Sequence, residues 1–281
     1  MLFSGTSSRS IRRNRAMARL DIWLSKHGMA PSRQRAQGLI RNGQIFVNGV
    51  VCTKPAYGVA EGDQVTMEGE DLPFVGRGGL KLEHAVQAAG LQLDGLVCMD
   101  IGASTGGFTD CMLQHGARRV YAVDVGHGQL AESLRQDSRV VNWEGTDIRS
   151  VTPAQLPEPV DFFSVDVSFI SLTHVLPSAA AFLAHGGKAA ILIKPQFEAG
   201  RENIGKNGLV TSPRVHQNVL VNTLALLHQL ELEVQLLCPS PIRGGTGNAE
   251  YLAVAEKGGT PAEIPDLAAV VQAALAKEGR K

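Results

Sequence analysis

A loop of small residues after an apolar strand is the first feature of this sequence that could do chemistry. Residues 98–110 read CMDIGASTGGFTD. In an open parallel sheet, ligands bind beyond the carboxyl ends of the strands, and glycine lets the backbone approach them closely. The glycine spacing fits neither the dinucleotide fingerprint nor the phosphate loop, and a tight structural turn is the alternative explanation. We predict a nucleotide-like cofactor bound by Gly102, Ala103, Ser104, Thr105, Gly106 and Gly107.

Two aspartates at the ends of the following strand patterns strengthen this prediction. Asp124 comes 17 residues after Gly107, where a carboxylate can accept hydrogen bonds from two ribose hydroxyls. Asp147 ends the next strand pattern and could accept a hydrogen bond from an exocyclic adenine amine. Each aspartate alone could equally be a loop cap. Together with the glycine loop, the two predict an adenosine pocket.

The same region resembles class I S-adenosylmethionine-dependent methyltransferases, and within them the FtsJ-like RNA ribose methyltransferases. That family carries a lysine, aspartate, lysine, glutamate tetrad, and four residues match it in order. The matching residues are Lys81 in GRGGLKLEHA, Asp166 in FFSVDVSFISL, Lys194 in AAILIKPQFE and Glu250 in GTGNAEYLAV. The resemblance implies that these four are catalytic and that the cofactor is S-adenosyl-L-methionine.

The chemistry of ribose methylation explains why such a set is needed. A ribose hydroxyl is a poor nucleophile at neutral pH, so a base must remove its proton. We assign this role to Lys194, which follows five apolar residues of a predicted central strand. Burial or a neighbouring cation makes the neutral form of a lysine accessible, and Lys81 is the expected neighbour. Asp166 and Glu250 are expected to orient the two amines.

Alternating strand and helix patterns supply the scaffold for these residues. Near-continuous apolar strands separated by helices indicate a mostly parallel sheet that is covered on both faces. The pattern predicts the α/β fold class, and the resemblance implies that the sheet is that of a class I, Rossmann-like, S-adenosylmethionine-dependent methyltransferase, preceded by a small α+β domain. The predicted strands cover 97–101, 119–124, 140–143, 161–167, 189–194, 233–237 and 251–255, and the predicted helices cover 108–115, 130–135, 172–184 and 213–229.

The formal net charge of zero conceals two oppositely charged parts. Residues 1–60 contain ten of the 27 basic residues and one acid, Asp21, whereas the rest contains 17 basic and 26 acidic residues. The front therefore carries a net charge of +9 and the body −9. A basic front on an acidic body favours binding of a polyanion, usually nucleic acid. A solvated basic arm is the alternative.

The basic front also carries a specific resemblance. Its pattern predicts two short helices and a hairpin around the Asn48-Gly49 turn. The strings RLDIWLSKHGMAPSRQRAQGLIRNGQIFVNG and TKPAYGVAEGDQV resemble the alpha-L RNA-binding domain named after small-subunit ribosomal protein four. Arginines on a helix can bind RNA phosphates without reading bases, because the deep major groove of an RNA duplex excludes side chains. The predicted RNA-binding residues are Arg19, Arg33, Arg35, Arg41 and Lys54.

The two parts together resemble the TlyA or hemolysin A family. The diagnostic strings are RGGLKL, DIGASTGGFTD, VDVGHGQL, DVSFISL, KPQFE and GNAEY. The resemblance implies methylation of the 2′-hydroxyl of cytidine in ribosomal RNA, in 23S and in some members also 16S. We predict a basic arm expected to be disordered over 1–18, an RNA-binding domain over 19–71, a linker over 72–80, an FtsJ-like methyltransferase domain over 81–257 and a tail with one helix over 258–281.

Composition and cysteine spacing argue against other classes of protein. No window approaches the roughly 18 consecutive apolar residues of a membrane helix, and the front has no secretory signal pattern. The four cysteines are far apart, which indicates a reduced cytoplasm, and we expect no metal. We expect ribosomal RNA or ribosomal subunits as partners, with no membrane and no stable protein partner. The alternatives are a membrane-active hemolysin and a non-catalytic RNA-binding ribosome-assembly factor.

Overall fold

Residues 18–30, 32–41, 43–67 and 72–276 are described by the computed structural model. The chain divides into two units, Met1–Asp71 and Leu72–Lys281. The arm predicted over 1–18 lies outside the described residues except for Ala18, and so does the end of the predicted tail, residues 277–281.

The first unit packs two helices on short antiparallel strands. Its elements are β1 (Ala18–Arg19), α1 (Leu20–Lys26), α2 (Arg33–Arg41), β2 (Ile45–Val47), β3 (Val50–Val51), β4 (Gly58–Val59) and β5 (Val65–Met67). β1 pairs with β4, and β2 pairs with both β3 and β5. Asn48 and Gly49 have positive φ angles of 53° and 76°, as the predicted hairpin turn requires.

A buried carboxylate links the two helices of the first unit. Asp21 in α1 has no exposed surface, and its carboxylate accepts hydrogen bonds from three side chains. The donor–acceptor distances are 3.1 Å from Arg19, 2.9 Å from Arg33 and 2.8 Å from Gln37. These donors, Arg19 above all, hold the pKa of Asp21 far below its ordinary value. The ionised carboxylate therefore fastens α1 to α2.

The second unit is built on a seven-stranded sheet. Its helices are α3 (Gly78–Ala89), α4 (Gly107–Gln114), α5 (Glu132–Arg135), α6 (Leu172–Phe182), α7 (Pro195–Glu198), α8 (Pro213–Gln229) and α9 (Leu267–Ala276). Its strands are β6 (Val97–Ile101), β7 (Arg119–Asp124), β8 (Val140–Glu144), β9 (Val160–Val165), β10 (Leu183–Ile193), β11 (Leu232–Pro239) and β12 (Tyr251–Lys257).

The strand order creates a crevice in the middle of this sheet. The order is β11-β12-β10-β9-β6-β7-β8, and β12 is antiparallel to both of its neighbours while the remaining pairs are parallel. The first strand of this sheet along the chain is β6. The chain then adds β7 and β8 on one side of β6 and returns to add β9 on the other side. Such a reversal leaves a crevice at the carboxyl ends of the two central strands. The predicted α/β class with a mostly parallel sheet is confirmed.

Each face of the sheet has its own hydrophobic core, because side chains alternate along a strand. Val97, Met99 and Ile101 of β6 pack with α6, α8 and α9 on one face. Cys98 packs with α3 and α4 on the other face. Helices therefore cover both faces, as predicted. None of the helices in the described ranges has both the length and the apolar character that crossing a bilayer requires.

The structure differs from the predicted elements at the linker and at β10. α3 begins at Gly78, so the last three residues of the linker predicted over 72–80 are helical. A Cβ at Gly79 would collide with the ring of Phe74, so this glycine serves close packing. β10 begins at Leu183, six residues earlier than predicted, and its pairing with β9 contains a register shift.

Candidate active site

An ion pair stands where β9 and β10 end. Lys194 directly follows β10 and is 8% exposed; its Nζ lies 2.5 Å from Oδ1 of Asp166, which directly follows β9. This contact is an ion pair without hydrogen-bond geometry, whereas Nζ donates a hydrogen bond to Oγ of Ser168 at 2.9 Å. The main-chain N–H of Asp166 donates to the carbonyl of Ile101 at 2.9 Å. This bond fixes Asp166 at the end of β6, beside the crevice.

A second ion pair joins α3 to the start of β12. Nζ of Lys81 donates to Oε2 of Glu250 at 2.6 Å, and the two residues are 8% and 3% exposed. The amide of Gln196 lies 3.5 Å from the other oxygen of this carboxylate. A Cβ at Gly244 would collide with the Glu250 carboxylate, so the glycine leaves room for it. Glu250 is therefore closely confined.

Flanking contacts bring the two ion pairs to one edge of the sheet. A Cβ at Gly78, in the first turn of α3, would lie 3.9 Å from Oδ2 of Asp166. Gln196, two residues after Lys194, reaches toward Glu250. The four predicted catalytic residues thus lie at one edge as two ion pairs, Lys194 with Asp166 and Lys81 with Glu250.

A cavity of about 490 Å³ opens beside Asp166 at the carboxyl ends of β6, β7 and β9. This volume lies within the range of ordinary small-molecule sites. Four of the predicted cofactor residues line it, namely Gly102, Ser104, Asp124 and Asp147. Apolar side chains line it as well, including Ile101, Val123, Ile148 and Val167. Apolar walls with a few carboxylates suit a nucleoside, whose base is flat and whose sugar carries hydroxyls.

Gly102 occupies a position that only glycine can fill without strain. Its φ is +89°, and a Cβ there would lie 2.5 Å from the main-chain oxygen of Asp166. Its N–H donates to the carbonyl of Val123 at 2.8 Å. The glycine loop is therefore pressed against the segment that carries a predicted catalytic aspartate.

Asp124 shapes the glycine loop in addition to lining the cavity. One carboxylate oxygen accepts from the main-chain N–H of Ser104 at 2.8 Å, and the other accepts from that of Gly126 at 2.7 Å. Each oxygen of a carboxylate can accept a further hydrogen bond. Asp124 can therefore hold the loop and still accept from ligand hydroxyls.

Asp147 is engaged by Arg149, a residue that the sequence analysis did not single out. The guanidinium contacts Oδ2 at 2.6 Å, and the main-chain N–H of Arg149 donates to Oδ1 at 2.9 Å. Hydrogen bonds from Arg149 lower the pKa of Asp147 below its ordinary value. An adenine amine would share this carboxylate with Arg149. An arginine two residues after the aspartate was the signal available in EGTDIRS.

The remaining predicted cofactor residues shape the loop and are absent from the cavity wall. Ala103 is buried. Gly106 precedes α4 with φ +94°, and a Cβ there would collide with Leu134. Gly107 packs against the main chain of α3, and the carbonyl of Thr105 accepts from the start of α5. These four residues therefore act on the shape of the loop within the described part of the chain.

Asp100, in the strand before the loop, was missed by the sequence analysis. It is fully buried and accepts hydrogen bonds from the N–H of Thr109 at 2.9 Å, the hydroxyl of Thr109 at 2.7 Å and the hydroxyl of Ser164 at 2.9 Å. Burial raises its pKa to about 6. The Thr109 N–H belongs to the first turn of α4, which lacks helical partners. Asp100 therefore fixes the helix that begins at the loop.

An exposed aromatic side chain stands at the rim of the cavity. Phe169 is 92% exposed and has a φ of +64°, an unusual backbone conformation for a residue with a side chain. Its ring centroid lies 5.1 Å from that of Phe197, and Nζ of Lys194 lies 5.8 Å from the Phe197 centroid. Exposed apolar surface beside a buried ion pair is typical of a ligand-binding face.

The predicted RNA-binding residues of the first unit differ in their contacts. Arg19 and Arg33 are about half exposed and share the buried carboxylate of Asp21. Arg35 is half-buried, whereas Arg41 and Lys54 are exposed. Two of the five residues therefore hold the unit together as well as offering charge.

One group of metal-type donors lies outside this site, although cysteine spacing gave no sign of it. Oε2 of Glu83 is 2.6 Å from Nε2 of His115 and 3.7 Å from Sγ of Cys111. Burial raises the pKa of the Cys111 thiol well above its ordinary value. These contacts join α3 to α4 through hydrogen bonds.

Known proteins resemble this chain over most of its length. The sequence profile of FtsJ-like methyltransferases matches residues 74–257, and that of the S4 domain matches residues 18–65. The 16S/23S rRNA (cytidine-2′-O)-methyltransferase TlyA of Mycobacterium tuberculosis is 39% identical over 235 residues, which cover 83% of this chain and 88% of that protein. Hemolysin A of Brachyspira hyodysenteriae is 39% identical over 236 residues, 84% of this chain and 98% of that protein.

A solved structure is also similar to this chain over most of its length. It is a candidate hemolysin from Streptococcus thermophilus, 42% identical, with a TM-score of 0.73 over 92% of this chain and 96% of that one. The chain therefore belongs to the FtsJ-like methyltransferase family, among members that carry an S4 domain and include proteins named TlyA and hemolysin A.

Proposed function

We propose that this protein transfers a methyl group from S-adenosyl-L-methionine to the ribose 2′-hydroxyl of a cytidine in 23S or 16S ribosomal RNA, in the cytoplasm. The observation that carries the proposal is the pair of buried lysine–carboxylate contacts beside the crevice, Lys194 with Asp166 and Lys81 with Glu250. The name of the TlyA relative supports the choice of substrate.

The cavity suits the cofactor. Asp124 would accept hydrogen bonds from the ribose hydroxyls, and Asp147 lies where it could accept one from the adenine amine. Apolar residues such as Ile148 would contact the base, and Gly102, which lines the cavity, would present its main chain to the ligand. When bound, S-adenosyl-L-methionine supplies an electrophilic methyl group.

Lys194 is the proposed base. Its neutral amine would accept the proton of the 2′-hydroxyl, which turns that oxygen into an effective nucleophile. Asp166 and Ser168 contact Nζ and would orient it. Lys81, held by Glu250, would place a positive charge near the oxygen as negative charge develops on it.

RNA recognition is divided between the two units in this proposal. Residues 19–71 would serve as the RNA-binding domain, and residues 81–257 as the methyltransferase domain. Base flipping lets an enzyme reach a ribose or base that is enclosed in folded RNA. The exposed ring of Phe169 could stack on the flipped base, since stacking tolerates any base with a flat face.

Replacing the proposed base tests the mechanism. We expect Lys194→Ala to abolish methyl transfer from tritiated S-adenosylmethionine to purified ribosomal subunits, because the variant lacks the amine that takes the proton in this proposal. Calorimetry should still detect cofactor binding. Lys188→Ala, in the middle of β10 and six residues before Lys194, is the matched control and should retain activity.

Two outcomes would contradict the proposal in different ways. Near-normal turnover of Lys194→Ala would remove Lys194 from the role of base. A wild-type protein that binds the cofactor but methylates neither subunit, with 2′-O-methyl groups mapped by primer extension, would rule out ribosomal RNA as substrate.

A further inference from the structure

Residues 199–214, which follow α7 and are called the basic loop here, carry three exposed cations. These are Arg201, Lys206 and Arg214, and none of them forms an ion pair or side-chain hydrogen bond within the described ranges. Elsewhere in the second unit, exposed arginines are commonly paired with acids. Examples are Arg118 and Arg119 with Glu158, Arg135 with Glu132, and Arg139 with Asp137. The basic loop also contains one exposed acid, Glu202, whose carboxylate accepts a hydrogen bond from the amide of Asn203 at 3.3 Å and forms no ion pair with the three cations within the described ranges. The loop therefore keeps a net charge of +2.

The basic loop is attached at its start and in its second half to the edge of the sheet that holds the two ion pairs, which is called the catalytic edge here. The amide of Asn248, two residues before Glu250, donates to the carbonyl of Gly208 at 2.8 Å, and its oxygen accepts from the N–H of Val210 at 3.0 Å. At the other end, Glu198 accepts hydrogen bonds from Ser171 and Leu172 through its carboxylate. The acid that precedes the loop is therefore turned inward, and the loop is held near Glu250 through Gly208 and Val210.

The basic loop presents its cations on a fixed backbone. Gly205 donates its N–H to the carbonyl of Leu209 at 2.8 Å and accepts from the N–H of Gly208 at 3.2 Å, which closes a turn around Lys206. Arg214 lies in the first turn of α8, where no acidic residue is present. The positive end of a helix dipole disfavours a cation there. A position that costs folding energy without an internal partner is typical of a functional surface.

We propose that the basic loop binds the phosphodiester backbone of the substrate RNA next to the nucleotide that is methylated. This inference rests on the proposed function and adds an RNA-binding site within the methyltransferase unit. Contacts to phosphates position a nucleic acid without reading its sequence. The loop would therefore hold the strand in register while the catalytic edge acts on one ribose.

Neutralising the loop in the full-length protein tests this inference. The variant Arg201→Gln/Lys206→Gln/Arg214→Gln is compared with wild type in filter binding to a 23S rRNA fragment between about 50 and 200 mM salt. Each lost phosphate contact removes about 0.7 to 0.9 from the slope of log affinity against log salt, so we expect a loss of about two. The Kd near 0.1 M salt should rise by about a hundredfold.

A matched control separates the loop from charge in general. Arg118→Gln/Arg135→Gln/Lys188→Gln removes three positive charges elsewhere in the unit and should leave Kd and slope close to wild type. The single change Lys206→Glu, in an exposed turn, serves if the triple variant folds poorly, and it should raise Kd at least fivefold. Calorimetry with S-adenosylmethionine confirms that each variant is folded.

The outcomes distinguish this inference from the function on which it rests. Unchanged Kd and slope in the loop variants, or equal losses in the control, would overturn the basic loop as an RNA site while wild-type methylation stands. A wild-type protein that binds the cofactor but neither binds nor methylates ribosomal RNA would overturn both.

Discussion

Asp100 couples the glycine loop to pH through a single carboxyl group. Burial raises its pKa from an ordinary value of 3.8 to about 6, so the folded state favours the protonated form. A carboxyl whose pKa is raised on folding does not lower the free energy of unfolding at pH values below its unfolded pKa. It lowers that free energy increasingly as pH rises toward the folded pKa. Above about pH 6 this loss of stability reaches its full size and no longer changes with pH. Wild-type protein therefore retains this buried acid at a cost in stability near neutral pH.

The substitution Asp100→Asn should remove that pH dependence. The amide oxygen can still accept from Thr109, and the NH₂ group can donate to the hydroxyl of Ser164. Relative to wild type, the free energy of unfolding of the variant should rise by roughly 2 kcal/mol between pH 4.5 and 7.5. Urea titrations at both pH values measure this difference, with unfolding followed by hydrogen-exchange pulse labelling of peptides from β6 and β7. A difference that does not change with pH would contradict the shifted pKa.

The sequence predicted which residues form the candidate site better than it predicted which of them contact each other. Lys81, Asp166, Lys194 and Glu250 were predicted from motifs in the correct order. The pairing of Lys81 with Glu250 joins positions 169 residues apart, and only the folded sheet determines it. Asp100 was missed because an acid within a strand has no local pattern that reveals its partners. Arg149 was missed although its partner, Asp147, stands two positions away in EGTDIRS.

Among the elements, those defined by local pattern were predicted well. The bounds of β6 and β7 were predicted as observed, because both strands are rich in apolar residues and are buried on two faces. α3 was missed because it begins with Gly78 and Gly79, which are poor helix formers. Its glycines are explained by packing against Phe74, a tertiary contact that propensity does not contain.

The helices of the first unit depend on one carboxylate, which makes a prediction at this scale. Asp21→Asn would leave Arg19 and Arg33 without a shared anion, at a cost of about 2 kcal/mol, discounted because both arginines are half exposed. Peptides of α1 and α2 should then exchange amide hydrogens at least tenfold faster at pH 7, while β7 peptides should not change. Unaltered exchange in α2 would show that Asp21 does not fasten it.

The direction of the Asp21 pKa shift determines how the contribution of this contact to stability depends on pH. The pKa of Asp21 is lowered on folding, so its contribution is complete above the ordinary value of 3.8 and is lost as pH falls below it. Wild type and Asp21→Asn should therefore converge in stability in strong acid.

For the molecule as a whole, the basic residues of the first unit fall into two kinds: those that only offer charge to RNA and those that also hold Asp21. Arg41→Gln/Lys54→Gln removes exposed charge and should reduce the salt slope of RNA binding by about one to two without changing the melting temperature. Arg19→Gln/Arg33→Gln should weaken RNA binding and also lower the melting temperature, since it releases Asp21. Filter binding and thermal melts of the full-length variants make the comparison. Equal melting temperatures for the two variants would contradict the distinction.

The position of β12 has a consequence for the synthesis of the protein. This strand is the last one in the described residues, yet it lies inside the sheet, between β10 and β11, and Glu250 directly precedes it. A growing chain cannot complete the sheet or join Lys81 to Glu250 until this strand has left the ribosome. Shortened translation products that end before Glu250 would lack the second ion pair, so the edge that holds both ion pairs is complete only after the segment with Glu250 and β12 has been synthesised.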